Sequence, residues 1–336
     1  MTSDRDWLAR ILARPAEIPV RQLYADALER DGDPARAEIV RLTCRALDLA
    51  TNVGLGDRLR ELPEQWSGWA RLVGARLISE MEQRGLSAYV PRWMPFVLPG
   101  LSVDVTPDTG TPPVGSTFFW GDPDLPEGVD WPTYADCTRF FGPCPEIDPG
   151  SRCHFVGQVD LAQLALSPAA VGGPATGLLS IFAFEEYERL GIAEIAVMVF
   201  RDVSRLRRVP HPPLDEANKR RPCHRVSLQH VLTLPENYDG PWAEAMAFAA
   251  DDARASSDAS AFDHVLQESG GGRFGLLGHL RATTGGDPTP DRDWQRLLCV
   301  PSGPERVIWH NVAIRSDDLA AGNLERWQSV WVDMDG

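Results

Sequence analysis

Cysteine and histidine carry the most reactive side chains of this sequence, and their spacing limits what they can do. Cys137, Cys144 and Cys153-His154 share one stretch, with Cys223-His224 as a later pair. Thiolate and imidazole suit tetrahedral zinc, but gaps of six and eight residues are not the short C-x2-C knuckle. The set Cys137, Cys144, Cys153 and His154 is therefore a weak metal alternative, idle thiols are the simpler reading, and no metal or cofactor is expected. His154, His224, His279 and His310 lie in or beside expected strands, where an imidazole oriented by a carboxylate acts as a general base. A pocket joining His279, Trp294, His310 and Asp122 is the form such a catalytic site would take. The patterns G-x-S-x-G, H-E-x-x-H and G-x-x-x-x-G-K-[ST] are absent, which removes the commonest hydrolase, metalloprotease and NTPase readings. Gly270-Gly271-Gly272-Arg273-Phe274-Gly275 follows no expected strand, so it reads as a connection and not as a phosphate cradle.

The other chemistry on offer is binding. Residues 121–150 carry Asp122, Asp124, Glu127, Asp130, Asp136, Glu146 and Asp148 against one basic residue, Arg139. Pro123, Pro126, Pro132, Pro143 and Pro145 limit the freedom of that stretch, and preorganised charge loses less entropy on docking. These acids are expected to face a partner. The whole 336-residue chain has a net charge of −15, which repels phosphate backbones and anionic lipid and favours a basic protein partner. No nucleic acid and no membrane is expected. The longest apolar stretches, Leu178–Phe184 and Ile195–Phe200, fall short of the roughly 18 residues that a membrane helix requires, and Met1–Asp6 lacks a signal-peptide pattern. A cytoplasmic protein with six reduced cysteines is expected.

The elements that must position these groups divide in two. Residues 1–90 hold 13 Arg and 14 acidic residues, and residues 91–336 carry −14. In the first part Val20, Leu23, Tyr24, Ala27 and Leu28 follow a helical stripe, and Ile39, Leu42, Thr43, Ala46 and Leu47 repeat it. Gly32-Asp33-Pro34 separates the stripes, with Gly32 suited to end one helix, Asp33 to cap the next and Pro34 to begin it. A third helix is expected across Trp69, Leu72, Val73, Leu77 and Met81. After Pro91 the pattern changes to short runs, Thr117–Trp120, His154–Val159, Leu178–Phe184, Ile195–Phe200, Val226–Leu234, Leu297–Val300 and Val307–Ile314, which read as strands between Pro/Gly turns. Helical inserts are expected at Trp242–Ala255, at Ala261–Glu268 and after Ser316.

Two resemblances bear on this organisation. Leu23-Tyr24-Ala25-Asp26-Ala27-Leu28-Glu29-Arg30-Asp31-Gly32-Asp33-Pro34, continuing to Leu42, resembles the bacterial repeat-companion domain over about residues 5–48, with Ala27 where that family carries Trp. This resemblance implies an accessory or interaction role. Phe119-Trp120-Gly121-Asp122-Pro123-Asp124-Leu125-Pro126, His154-Phe155-Val156-Gly157-Gln158-Val159-Asp160-Leu161, Gly177–Phe182, Leu276–His279 and Asp293–Leu298 are similar to the YwqG-like family of unknown function, over about residues 100–336. That likeness implies a β-rich α+β fold and carries no catalytic residue.

The expected architecture is α+β: a helical repeat-companion-like domain at 1–90 and a larger, mainly antiparallel YwqG-like domain at 91–336. The expected function is noncatalytic protein binding, of an adaptor or immunity-type inhibitor, through Asp122, Asp124, Glu127, Asp130, Glu146 and Asp148. The alternative is an enzyme acting on a small polar substrate, with His279, His310 and Asp122 as catalytic candidates.

Overall fold

A computed structural model describes residues 2–108, 110–137, 144–165, 174–186, 192–212, 221–235, 244, 258, 261–262, 264–265, 274–280, 291–301 and 308–334. Its chain divides into two compact units, one made of Met1–Ser102 with Gln229–Ala282, the other of Val103–Leu228 with Thr283–Gly336. The fold class is α+β. No helix among the described residues is long and apolar enough to cross a membrane.

Seven helices lead: α1 Asp4–Ala13, α2 Ile18–Arg30, α3 Pro34–Leu49, α4 Leu55–Arg60, α5 Ser67–Leu72, α6 Ala75–Gln83 and α7 Val90–Trp93. The α2–α3 corner is built by its three punctuating residues. Gly32 takes φ +87°, its N–H donates to Glu29 O, and the Asp33 N–H reaches back to Leu28 O at 2.8 Å. Asp33 then caps α3, its Oδ1 accepting from Arg36 N at 3.1 Å, and Pro34 stands at the start of the helix. Ile39, Leu42, Thr43, Ala46 and Leu47 are all buried.

On α2 the buried face is turned from the expected stripe. Arg21, Tyr24, Ala25 and Leu28 are inside, and Leu23 is exposed. The cause is the Arg21 guanidinium, which donates from Nη1 to Val73 O at 2.6 Å and from Nη2 to Pro15 O at 2.7 Å. Two buried carbonyls thereby gain a donor that no apolar side chain offers, although burial brings the Arg21 pKa down to about 10. The same feature splits the expected third helix: Gly74, at φ +80°, ends α5 and begins α6. Glu82 on α6 accepts from the N–H groups of Val53 and Leu55 at 2.7 and 3.0 Å, which closes the N-terminus of α4. The apolar cluster of this unit joins Tyr24, Val40, Ile78 and Trp93 to Leu232, Leu234, Phe262 and Val265 from the later segment.

Twelve strands are present among the described residues: β1 Leu98–Pro107, β2 Phe118–Phe119, β3 Asp124–Pro126, β4 His154–Asp160, β5 Leu178–Glu186, β6 Ile192–Phe200, β7 Leu206–Arg208, β8 His224–Thr233, β9 Gly275–Leu277, β10 Trp294–Pro301, β11 Ile308–Arg315 and β12 Gln328–Met334. In the second unit β4, β5 and β6 run antiparallel in order, β2 pairs with both β4 and β8, and β10–β11–β12 forms a second antiparallel run. The β4–β5 pairing shifts between Phe155 and Gly157. There the Phe119 ring lies so close to Gly157 that a Cβ would sit 2.3 Å from it, so only glycine fits. Of the expected insert at Trp242–Ala255 only Glu244 is described, and of that at Ala261–Glu268 the described Ala261, Phe262, His264 and Val265 are helical; residues 270–273 lie outside the described residues, and the helix after Ser316 is found at Ser316–Ala320.

Asp33→Ala removes both the cap and the 2.6 Å ion pair to Arg36, whose side chain is only 10% exposed. The substitution is expected to lower stability by about 1–2 kcal/mol in chemical denaturation of the full chain, with Asp33→Asn recovering part of the loss. An unchanged midpoint for Asp33→Ala would reject the cap.

Candidate functional site

The second unit holds acids that water does not reach, Asp124 and Glu194 among them. Asp124 on β3 is fully buried, and β3 pairs with β7 so that Asp124 stands opposite Arg208. A buried carboxylate is tolerated only when it is paired and hydrogen-bonded, and here it is both. Arg208 donates from Nε to Oδ1 at 2.6 Å, while Gly115 N and Gln158 Nε2 donate to Oδ2 at 2.9 and 2.7 Å. Gln158 returns its Oε1 to the Asp124 N–H at 2.9 Å. The guanidinium also donates from Nη2 to Pro112 O at 3.0 Å and lies 4.8 Å from the Phe118 ring centroid. One ion pair thus ties β3, β4, β7 and the loop before β2.

Beside this pair opens a cleft of about 520 Å³. Its charged lining is Asp108, Asp122, Arg208 and Arg221, with Gly121 and Cys223 between them. The turn leaving β2 aims Asp122: Trp120 and Gly121 take φ +56° and +85°, a conformation uncommon for a bulky residue. The buried Trp120 ring is held edge-on to His224 at 4.6 Å. Asp122 accepts from His211 N at 3.0 Å. The Gly110 N–H and then the Arg225 guanidinium hold the Asp108 carboxyl below its usual range. Burial, then the negative charge of Asp108, pushes the Cys223 thiol up to about 11. At neutral pH Cys223 is therefore a thiol and a poor nucleophile.

A second polar group lies deeper in the same unit. His154 on β4 and His310 on β11 bring their Nε2 atoms to 3.8 and 3.9 Å from Oε1 of Glu185 on β5. Burial drives the His154 pKa down to about 4, opposed by Glu185 and assisted by Arg221, His310 and His211. The ring is thus neutral over the physiological range, and its Nε2 has no hydrogen-bond partner among the described residues. A neutral imidazole beside a carboxylate is base-like chemistry, yet neither histidine lines the cleft.

The sequence-derived candidates part company here. His279 belongs to the first unit, where its ring Nε2 is 2.7 Å from Phe96 O and its N–H donates to Thr233, a structural arrangement. Trp294 is buried on β10 and is likewise absent from the cleft lining. Of the four residues of the expected pocket, only Asp122 lines the cleft. Among the expected binding acids, Asp124 is inside and committed to Arg208, whereas Glu127, Asp130, Asp136, Glu146 and Asp148 are exposed. Cys137 and Cys153 meet at 3.3 Å between sulfurs, but His154 turns to Glu185, and among the described residues no group of three or more His, Cys, Asp or Glu could hold a metal ion. Sequence reading missed Asp108, Arg208 and Arg221, and named Cys223 only beside the zinc alternative. The only trace is an arginine-rich run before Pro210 and the proximity of Cys223 to His224, neither of which forms a motif.

A family model described as a domain of unknown function (DUF1963) matches residues 117–335. The match begins after Asp108 and the loop carrying Pro112, so one wall of the cleft precedes it. No curated protein matches the chain.

Two outcomes follow. Asp124→Ala leaves Arg208 without its carboxylate and is expected to cost about 3–5 kcal/mol in denaturant unfolding. His154 binds a proton near pH 4 when folded but near 6.5 when unfolded, so the unfolded state holds more protons between these values. Stability should accordingly fall as pH drops from 6.5 toward 4, by on the order of 3 kcal/mol from this residue, and His154→Gln should flatten that part of the stability–pH profile.

Proposed function

The chain belongs to the DUF1963 family, a domain of unknown function, and on that premise we propose that it is a noncatalytic binding protein whose acidic face docks a basic protein, in the manner of an adaptor or an immunity-type inhibitor. One observation carries this reading: how the acids are partnered. In the first unit many exposed carboxylates are matched by arginine, with Asp4 on Arg36, Asp26 and Glu29 on Arg41, Glu38 and Glu61 on Arg58, and Asp57 on Arg60, while Asp6, Asp31, Asp48 and Glu64 are exposed with no ion pair among the described residues. Glu127, Asp130, Asp136, Glu146 and Asp148 of the second unit are exposed and form no ion pair among the described residues. Unmatched charge of one sign steers an oppositely charged partner and rejects like-charged ones.

Local structure supports the same reading by holding these acids in place. Asp136 closes a capping box on Thr133, Asp148 accepts from Gly150 N, and Ile147 anchors the loop in the cluster of Phe155, Phe182 and Phe184. The chemistry of the cleft favours binding over catalysis, since its thiol is protonated and its carboxylates accept from backbone or guanidinium donors. The repeat-companion resemblance of residues 5–48 and the YwqG-like resemblance of residues 100–336 fit an accessory module joined to a recognition module, in a cytoplasmic setting where the thiols stay reduced.

The test is capture from native lysate by the full chain, followed by association kinetics of the captured protein. Neutralising Glu127, Asp130, Glu146 and Asp148 together should slow association by about tenfold at low ionic strength and remove most of its salt dependence. Association that is indifferent both to salt and to these substitutions rejects the reading. Asp124 is left intact, because removing it tests folding and not recognition.

A further inference from the structure

The second unit keeps two thiols in contact that neither the cleft nor the acidic face uses. The sulfurs of Cys137 and Cys153 lie 3.3 Å apart, both cysteines are free, and the backbone on either side holds them in place. Thr133 pairs with Arg152 in an antiparallel bridge, and the Cys153 N–H donates to Pro132 O at 3.0 Å. The N–H groups of Tyr134 and Ala135 donate to Ser151 O and Pro149 O at 2.7 and 3.0 Å, and the Trp131 indole donates to Cys153 O at 2.7 Å. The thiol contact is thus imposed by a hydrogen-bonded ladder and is not a chance meeting of two side chains. A disulfide sets its sulfurs about 2.05 Å apart, so side-chain movements that total roughly 1.3 Å close the bond and leave the ladder in place. A metal ion is the weaker use of the pair, because no third ligand stands beside it among the described residues.

From this we infer that Cys137 and Cys153 are a redox modification site, joined reversibly as a disulfide by hydrogen peroxide, with Cys137 the sulfur oxidised first and Cys153 the one that resolves it. Position assigns the roles. Cys137 is 7% exposed and Cys153 is 0% exposed, so an oxidant little larger than water reaches Cys137 before its partner. The hydrogen bond with Cys137, and then burial, push the Cys153 thiol above its usual range, which keeps it protonated until a sulfenic acid stands beside it. In the first step the Cys137 sulfur attacks one peroxide oxygen: the O–O bond breaks, an S–O bond forms, and the thiol proton leaves with the released hydroxide as water. In the second the Cys153 sulfur attacks the Cys137 sulfur: the S–O bond breaks, the S–S bond forms, and the Cys153 proton leaves with hydroxide as a second water. Two thiols thereby give two electrons to one peroxide. The bond closes the loop that carries Glu146 and Asp148 and stabilises the unit by narrowing its unfolded ensemble.

This inference holds whether or not the acidic loop docks a partner, and its test needs none. The full chain is reduced, freed of reductant, exposed to hydrogen peroxide in modest excess, alkylated and digested with trypsin. Cleavage after Arg139 and Arg152 places Cys137, Cys144 and Cys153 on three separate peptides, so mass spectrometry reports which pair is joined. The link between Cys137 and Cys153 should dominate, be absent from the reduced chain and be released by dithiothreitol. The oxidised chain should unfold at a higher denaturant concentration than the reduced one, a shift that Cys144→Ser keeps and Cys153→Ser abolishes. Cys137→Ser supplies the same readout should Cys153→Ser fail to fold. The inference is overturned if no link forms, if Cys144 is the preferred partner of either sulfur, if Cys137 passes to the sulfinic acid unlinked, or if the linked and reduced chains unfold at the same midpoint.

Discussion

The second unit depends on the satisfaction of one buried carboxylate. Taking Asp124 out of water is unfavourable by several kcal/mol unless its charge is answered, and the answer comes from three separate places: Arg208, Gly115 and Gln158, whose Oε1 in turn accepts from the Asp124 backbone N–H. Each donor belongs to a different stretch of chain. The requirement therefore fixes where β7 lies against β3, where the loop before β2 runs, and which way the Gln158 amide turns on β4. The cleft is what remains beside the pair once these pieces are set, and Arg208 serves both as the structural counter-ion and as part of the cleft wall.

Much of the framework was legible because it rests on local rules. The α2–α3 corner followed from Gly32, Asp33 and Pro34, whose conformational preferences act over one turn. Seven apolar runs became strands, most within a few residues of their expected bounds, because alternation and length report burial directly. Long-range polar demands were not legible. Periodicity put Leu23 inside α2, yet Arg21 is inside because carbonyls of Pro15 and Val73, the second far away in sequence, need a donor. The short strands β3 and β7 escaped notice because three residues carry no period.

The candidate site shows the same division more sharply. Types of residue were recognisable, but which of them meet was not. Asp122 and Asp124 are two positions apart and read as equivalent surface acids; one lines a cleft from the turn after β2, and the other is buried on β3 opposite Arg208, a partner that local sequence does not reveal. His279 and His310 read as a pair of possible bases, and they fall in different compact units. Cys137 and Cys153 did come together, with no third ligand beside them among the described residues. Arg208 and Arg221 belonged to no motif, since a cleft lined from separate stretches leaves no pattern in the linear order.

The discontinuity of the first unit has a consequence for biosynthesis. Its helices emerge first, but Leu232, Leu234, Phe262 and Val265 complete their apolar cluster only when the segment 229–282 has been made. At typical rates of elongation, about 5–20 residues per second, the interval between residue 102 and residue 282 lasts roughly ten to forty seconds. During that time the surfaces of Tyr24, Ile78 and Trp93 awaiting these partners stay open to solvent or to a chaperone. The ribosome thus delivers the two units interleaved: the first waits through most of the second for its closing segment, and the second, begun inside that wait, is complete only at residue 336.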